Sequence, residues 1–135
     1  MLLAELTATS EAVRATRARN EKIERLAQTL RRMEPGEVAI GVAYLSGELR
    51  QRQIGVGWAS LRDRPLPASE PTLELADVDA ACERIGAAGG PGSQAVRRAA
   101  LAELFGRATE GEQEFLVRLL LGDLRQGALA GVMTD

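Results

Sequence analysis

A chain of 135 residues suffices for one buried core, and its apolar residues are mainly Ala, Leu and Val, with only Tyr44, Trp58, Phe105 and Phe115 aromatic, a mix that favours packed helices over sheets. Cys82 is the one cysteine and histidine is absent, which excludes a disulfide framework and a zinc site; no apolar run reaches membrane-spanning length, and Glu5 and Glu11 break any signal-peptide pattern, so the chain reads as cytosolic. The formal net charge of −2 speaks against nucleic-acid binding, but it is uneven: Arg50, Arg52, Arg62 and Arg64 crowd residues 48–64, while Glu70, Glu74, Asp77, Asp79 and Glu83 crowd residues 70–84.

Residues 2–16 are helical by composition, with Leu3, Leu6, Ala12 and Val13 apolar. Residues 17–33 place Ile23, Leu26, Ala27, Leu30 and Met33 at helical spacing, with Glu21 and Arg25 paired across one turn. Glu34-Pro35-Gly36 stops that helix and starts another, Pro35 suiting its first position. Residues 38–45 are apolar nearly all round, which predicts a central helix. A short helix is expected over 56–61. Residues 64–71 hold three of the five prolines and read as an extended surface loop within one domain. The next helix, over 77–88, turns Val78, Ala81, Cys82 and Ile85 to one face, making Cys82 a small core residue rather than a reactive thiol.

Gly89-Gly-Pro-Gly-Ser93 is a loop apex that lacks the Gly-Lys-Ser/Thr ending of a nucleotide-binding loop. Ser93 is read as the N-cap of a helix over 94–107 whose core face is Val96, Ala99, Ala100, Leu104 and Phe105. Thr109-Glu-Gly-Glu112 is a capping box, and the helix it opens buries Phe115, Leu116, Leu119 and Leu120. Residues 128–135 begin a further helix. The expectation is an all-α single domain of roughly eight helices with no sheet.

One phrase occurs twice. Leu45-Ser-Gly-Glu-Leu-Arg-Gln-Arg-Gln-Ile-Gly-Val-Gly-Trp58 returns as Leu120-Leu-Gly-Asp-Leu-Arg-Gln-Gly-Ala-Leu-Ala-Gly-Val-Met133. Setting Gly47 on Gly122 matches Glu48 with Asp123, Leu49 with Leu124, Arg50 with Arg125, Gln51 with Gln126 and Ile54 with Leu129. Chance alone rarely produces such a repeat in a chain this short. Each unit ends a helix, presents an Arg and a Gln, and opens another helix with glycines at its mouth. Free backbone N–H groups beside an Arg suit a phosphate, and two such places on one body suit a polyanion held at two points. A single glycine after an apolar run would be only a helix cap beside a solvated arginine. The second copy weighs against that reading.

The run from Ser93 to Asp135 resembles the N-terminal DNA-binding domain of ATP-dependent DNA ligases. Its glycine-rich lead, Thr-x-x-Glu box, Phe-Leu-Val-Arg-Leu-Leu-Leu-Gly-Asp-Leu-Arg-Gln-Gly segment and Gly-Val-Met ending carry the likeness. Val42-Ala-Tyr-Leu-Ser-Gly-Glu-Leu-Arg-Gln-Arg-Gln-Ile-Gly-Val-Gly57 is similar to the earlier element of that domain, and the first helix pair is similar to bacterial members. The resemblance implies an all-helical body with an approximate internal two-fold. Such a body lies on the minor groove of nicked double-stranded DNA and helps the ligase's catalytic domains encircle the nick, in DNA repair, replication or recombination.

The resemblance assigns contacts residue by residue. Arg50, Arg52 and Arg125 would pair with phosphates. Backbone N–H groups around Gly55, Gly57, Gly127 and Gly131 would bind phosphate oxygens where a side chain would obstruct. Gln51, Gln53 and Gln126 would donate to sugars or phosphates, which positions without reading sequence. Ser93 is a third contact or a plain N-cap. The whole of 1–135 is then one domain, expected to stop short of the family's last DNA-binding helices. It carries no catalytic or metal-binding residue and needs no cofactor. ATP and magnesium belong to the catalytic domain, whose adenylated lysine lies in a Lys-x-Asp-Gly motif. Lys22, the one lysine here, sits in Asn-Glu-Lys-Ile-Glu-Arg and lacks that motif, so no self-adenylation is expected. The competing reading is a helical protein-interaction or dimerisation module without nucleic-acid binding. It accounts better for the sequence pI of about 5.3 and worse for the repeated Arg-Gln phrase.

Overall fold

The structure is a computed structural model, and it describes residues 1–51, 54, 61–62 and 64–122. Six named helices lie among them: α1 (Leu3–Ala15), α2 (Arg19–Arg31), α3 (Pro35–Leu45), α4 (Leu75–Ala87), α5 (Ser93–Gly106) and α6 (Glu110–Leu121). No strand forms among the described residues; an isolated antiparallel bridge joins Leu2 to Glu74. The all-α expectation holds. The helix expected over 128–135 and most of that over 56–61 lie outside the described residues, and so does most of the second Arg-Gln phrase on which the two-fold repeat rests.

Buried leucines explain the packing. α1 buries Leu3, Leu6 and Val13 and packs on α2, α3 and α6. Its seam with α2 is polar at one point, where the Thr9 and Thr29 hydroxyls meet at 2.7 Å. Thr9 gives its proton to the Glu5 carbonyl at 3.1 Å, so Thr29 is the donor across the seam. The N-terminus is tied down as well. The Met1 amine pairs with Glu37 of α3, the Leu3 N–H donates to Leu73 O at 2.8 Å, and the Leu75 N–H donates to Met1 O at 3.0 Å.

α3 begins with Pro35 at its first turn, as the sequence predicts, and buries Ile40, Gly41, Tyr44 and Leu45. It packs on α1, α2 and α4, as a central helix does, although its opening turn faces out, with Val38 37% exposed. α4 packs between α3 and α5 and keeps Leu75, Val78, Ala81, Cys82 and Ile85 buried. Burial pushes the Cys82 thiol up to about 12, so it stays protonated and behaves as a small apolar side chain.

α5 corrects the expected register. Val96 is 53% exposed and Ala99 is exposed, while Leu101 joins Ala100, Leu104 and Phe105 in the core. None of residues 93–99 in the first two turns of α5 is buried, so an apolar residue there stays exposed. The Thr109–Glu112 capping box forms as expected: the Thr109 N–H donates to Glu112 Oε1 at 2.8 Å, and the Glu112 N–H to Thr109 Oγ1 at 3.4 Å. α6 buries Phe115, Leu116, Leu119 and Leu120. Gln113 of α6, also buried, pins the proline-rich loop by donating to Pro65 O at 3.1 Å and Phe105 O at 2.8 Å. Among the described residues no helix is long and apolar enough to cross a membrane.

Candidate functional site

The first Arg-Gln unit starts at the C-terminus of α3. Gly47 takes a left-handed conformation, φ 82°, that a side chain would strain. Its N–H donates to Tyr44 O at 3.0 Å and the Glu48 N–H to Ala43 O at 2.8 Å, the paired bonds of a Schellman cap. Two last-turn carbonyls are thereby satisfied, and the chain swings off the helix axis with Leu49 buried and Arg50 exposed. Gly122, the C-cap of α6, is likewise left-handed, with φ 78° and its N–H 3.3 Å from Leu119 O. The two matched glycines of the repeated phrase thus share a left-handed conformation at the ends of their helices.

Arg50 and Gln51 do not stand free in solvent. Arg50 Nη1 donates to Asp79 Oδ2 at 2.7 Å. Gln51 Nε2 donates to Asp79 Oδ1 at 3.0 Å and to Glu83 Oε1 at 2.8 Å. Asp79 and Glu83 are one turn apart on α4, so their carboxylates line one face. Asp79 is deep, with its side chain 14% exposed, and Arg50 lies above it at 46% exposure. Gln51 Oε1 is buried and has no partner among the described residues. The basic stretch 48–64 and the acidic stretch 70–84, separate in sequence, meet here.

Further along the unit, Ile54 is buried and its carbonyl accepts Arg97 Nη2 of α5 at 3.0 Å, while Arg97 Nε reaches Ile85 O at 3.3 Å. Arg97 therefore ties the unit to both α4 and α5. Beneath lies Tyr44, whose buried hydroxyl has no partner among the described residues; burial first, with the Asp79 carboxylate adding to it, raises its pKa above the ordinary value.

Of the residues the sequence singled out, Arg50, Gln51 and Ser93 are described. Arg52, Gln53, Gly55, Gly57, Arg125, Gln126, Gly127 and Gly131 lie outside the described residues. Ser93 is corrected: Gly92, with φ 82°, is the N-cap of α5, and Ser93 is its first helical residue. A helical backbone turns the serine hydroxyl away from the N–H groups it would cap, and no side-chain cap bond forms. Sequence reasoning missed Asp79, Glu83 and Arg97. The acid pair at i and i+4 on the polar face of α4 was the only signal, and it is common on solvated helices. Among the described residues no cluster of three His, Cys, Asp or Glu is placed to hold a metal ion.

Comparison with known proteins agrees with the resemblance. The family described as DNA ligase N terminus matches residues 59–135. A probable DNA ligase of Mycolicibacterium gilvum is 57% identical over 135 residues, covering 100% of this chain and 26% of the relative. A probable DNA ligase of Mycobacterium marinum is 56% identical, covering 100% of this chain and 27% of the relative. DNA ligase B of Mycobacterium tuberculosis is 53% identical with the same coverage, 100% and 27%. The chain thus spans about a quarter of the length of the curated relatives it matches. No solved structure matches it.

Proposed function

We propose, for a chain that belongs to the DNA ligase N-terminus family, that it grips nicked double-stranded DNA through the sugar-phosphate backbone and minor groove without reading sequence. The carrying observation is the first Arg-Gln unit. A left-handed glycine ends α3, and the chain beyond it brings Arg50 to the surface with Gln51 half-buried beside it. The left-handed glycine at 122, matched in the sequence to Gly47, supports a second, related grip, in which Arg125, Gln126, Gly127 and Gly131 repeat the roles of Arg50, Gln51 and the glycines at 55 and 57. Helix pairing is compatible with such a repeat: α1 packs on α2 and α6, and α4 packs on α5 and α3.

Guanidinium and backbone N–H groups aimed at phosphates hold any duplex alike, which suits an enzyme that must act at any nick. In this reading the chain does no bond chemistry. Lys22 lies on α2, and neither the Asp nor the Gly of a Lys-x-Asp-Gly motif follows it. ATP and magnesium would act in the ligase's catalytic domains, which are the second proposed partner.

The test is a titration of nicked duplex at two salt concentrations. Binding is expected at a Kd of roughly 10⁻⁴ to 10⁻⁶ M, weakening steeply as salt rises. A protein-interaction module is favoured instead by one observation, the neutralisation of Arg50 by Asp79. Salt-insensitive or absent duplex binding, with self-association in sedimentation, is its outcome.

A further inference from the structure

Phosphate contact asks Arg50 and Gln51 to face a polyanion, yet both are already held by carboxylates of α4. Asp79 divides its two oxygens between them, at 2.7 Å to Arg50 and 3.0 Å to Gln51, and Glu83 takes a second bond from Gln51 at 2.8 Å. Two negative charges thus stand against the one positive charge of Arg50, and the deeper carboxylate is the better shielded. A phosphate reaching Arg50 meets net negative charge within a few ångströms unless the guanidinium leaves Asp79. Such a pair has little attraction for DNA while it stays closed, because counterion release depends on charge that is free to neutralise phosphate.

We propose that Asp79 and Glu83 form an internal anionic counter-site which the DNA backbone must displace from Arg50 and Gln51, and that this exchange limits the affinity of the first Arg-Gln unit. The proposal rests on the DNA-binding reading above. It makes α4, which carries no basic residue of the repeated phrase, the element that sets how tightly the phrase holds phosphate. It also reconciles a net acidic chain with a polyanionic partner, since the acids nearest the grip act as its competitor.

The experiment titrates nicked duplex, at low and moderate salt, against wild type, Asp79→Asn, Glu83→Gln, Arg50→Ala and the double variant Arg50→Ala/Asp79→Asn, each first shown to unfold cooperatively. Glu83→Gln keeps the acceptor that Gln51 uses, Asp79→Asn keeps one of the two acceptors that Asp79 offers, and both remove the charge. Asp79→Asn and Glu83→Gln are expected to tighten binding roughly two- to fivefold, the size of an exposed ion pair, with a steeper salt slope. The gain from Asp79→Asn should vanish when Arg50 is Ala. If the gain persists without Arg50, the carboxylate acts only as distant charge and the exchange is overturned. Weaker binding by Asp79→Asn also overturns it, since the carboxylates would then be aiming Arg50 rather than competing for it. Wild-type binding with no gain in either carboxylate variant sinks the exchange alone. If no protein in the set binds duplex, the DNA-binding reading fails and the exchange falls with it.

Discussion

Arg50 carries two separable roles, and its substitution must be read with Asp79 in view. From the sequence, Arg50 lies off any apolar face and its removal should leave the fold alone. The structure gives it a mostly buried carboxylate at 2.7 Å, so Arg50→Ala strands the Asp79 charge. Because Arg50 is itself nearly half exposed, solvent screens the pair and the cost stays modest, about 1 kcal/mol by urea denaturation. Arg50→Ala/Asp79→Asn should recover most of that loss, since no charge is then left without a partner. An Arg50→Ala protein as stable as wild type would show that the pair contributes nothing to folding.

At the scale of the helix, glycine position decides sign. Gly47 and Gly122 end α3 and α6 at φ 82° and 78°, where a Cβ crowds the following carbonyl. Gly47→Ala and Gly122→Ala should each lose about 1 kcal/mol. Gly111 lies inside the first turn of α6 with nothing within 4 Å of where its Cβ would be. Gly111→Ala should gain about 0.5 to 1 kcal/mol, because it removes unfolded-state freedom without a clash. Thermal or urea unfolding of the three variants checks this. A stable Gly122→Ala protein would remove the argument that both Arg-Gln units start from a strained cap.

For the molecule as a whole, charge is cancelled internally more than its run along the chain suggests. Arg50 closes on Asp79, and Arg107 Nη2 lies 3.3 Å from Asp77 Oδ2, so these two acids of the 70–84 run, like Glu74 beside the Met1 amine, stand in intramolecular pairs. The Met1 amine is the third such tie, joining the start of the chain to Glu37 on α3, with Glu74 at 4.0 Å. Its pKa is raised, first by the bond to Glu37, against an opposing cost of burial. That of Glu37 is lowered, first by the bond to the Met1 amine and then by the Glu34 N–H.

The two shifts bound a pH window. A raised amine contributes stability that is full below its ordinary pKa, about 8, and is lost as pH rises through the folded value. A depressed carboxylate contributes stability that is full above its ordinary pKa, about 4.3, and is lost as pH falls through the folded value. Stability from this pair should therefore be flat between roughly pH 5 and 8 and decline on either side. In Glu37→Gln the alkaline decline should flatten, measured as the urea midpoint against pH. An unchanged alkaline limb would mean that the Met1 amine owes its stability to other groups.

Sequence alone determined what is local. The helical class follows from Ala- and Leu-rich runs at 3.6-residue spacing. The Glu34-Pro35 start, the Thr109–Glu112 box and the glycine ends at 47 and 122 need only neighbours within one turn. Cys82 could be read as core because its whole helical face is apolar. Periodicity failed at Val96 and Val38, since an apolar stripe says which way a residue points and not whether another helix covers that turn. The site depended on tertiary structure more than the class did. Asp79 meets Arg50 across 29 residues, Glu83 meets Gln51 across 32, Arg97 reaches Ile54 across 43, and Gln113 reaches Pro65 across 48. No repeat or spacing in the chain encodes those pairs. They exist because α4 docks against α3 and α5 on its buried leucine, valine and isoleucine face, which leaves its acidic face under the first Arg-Gln unit.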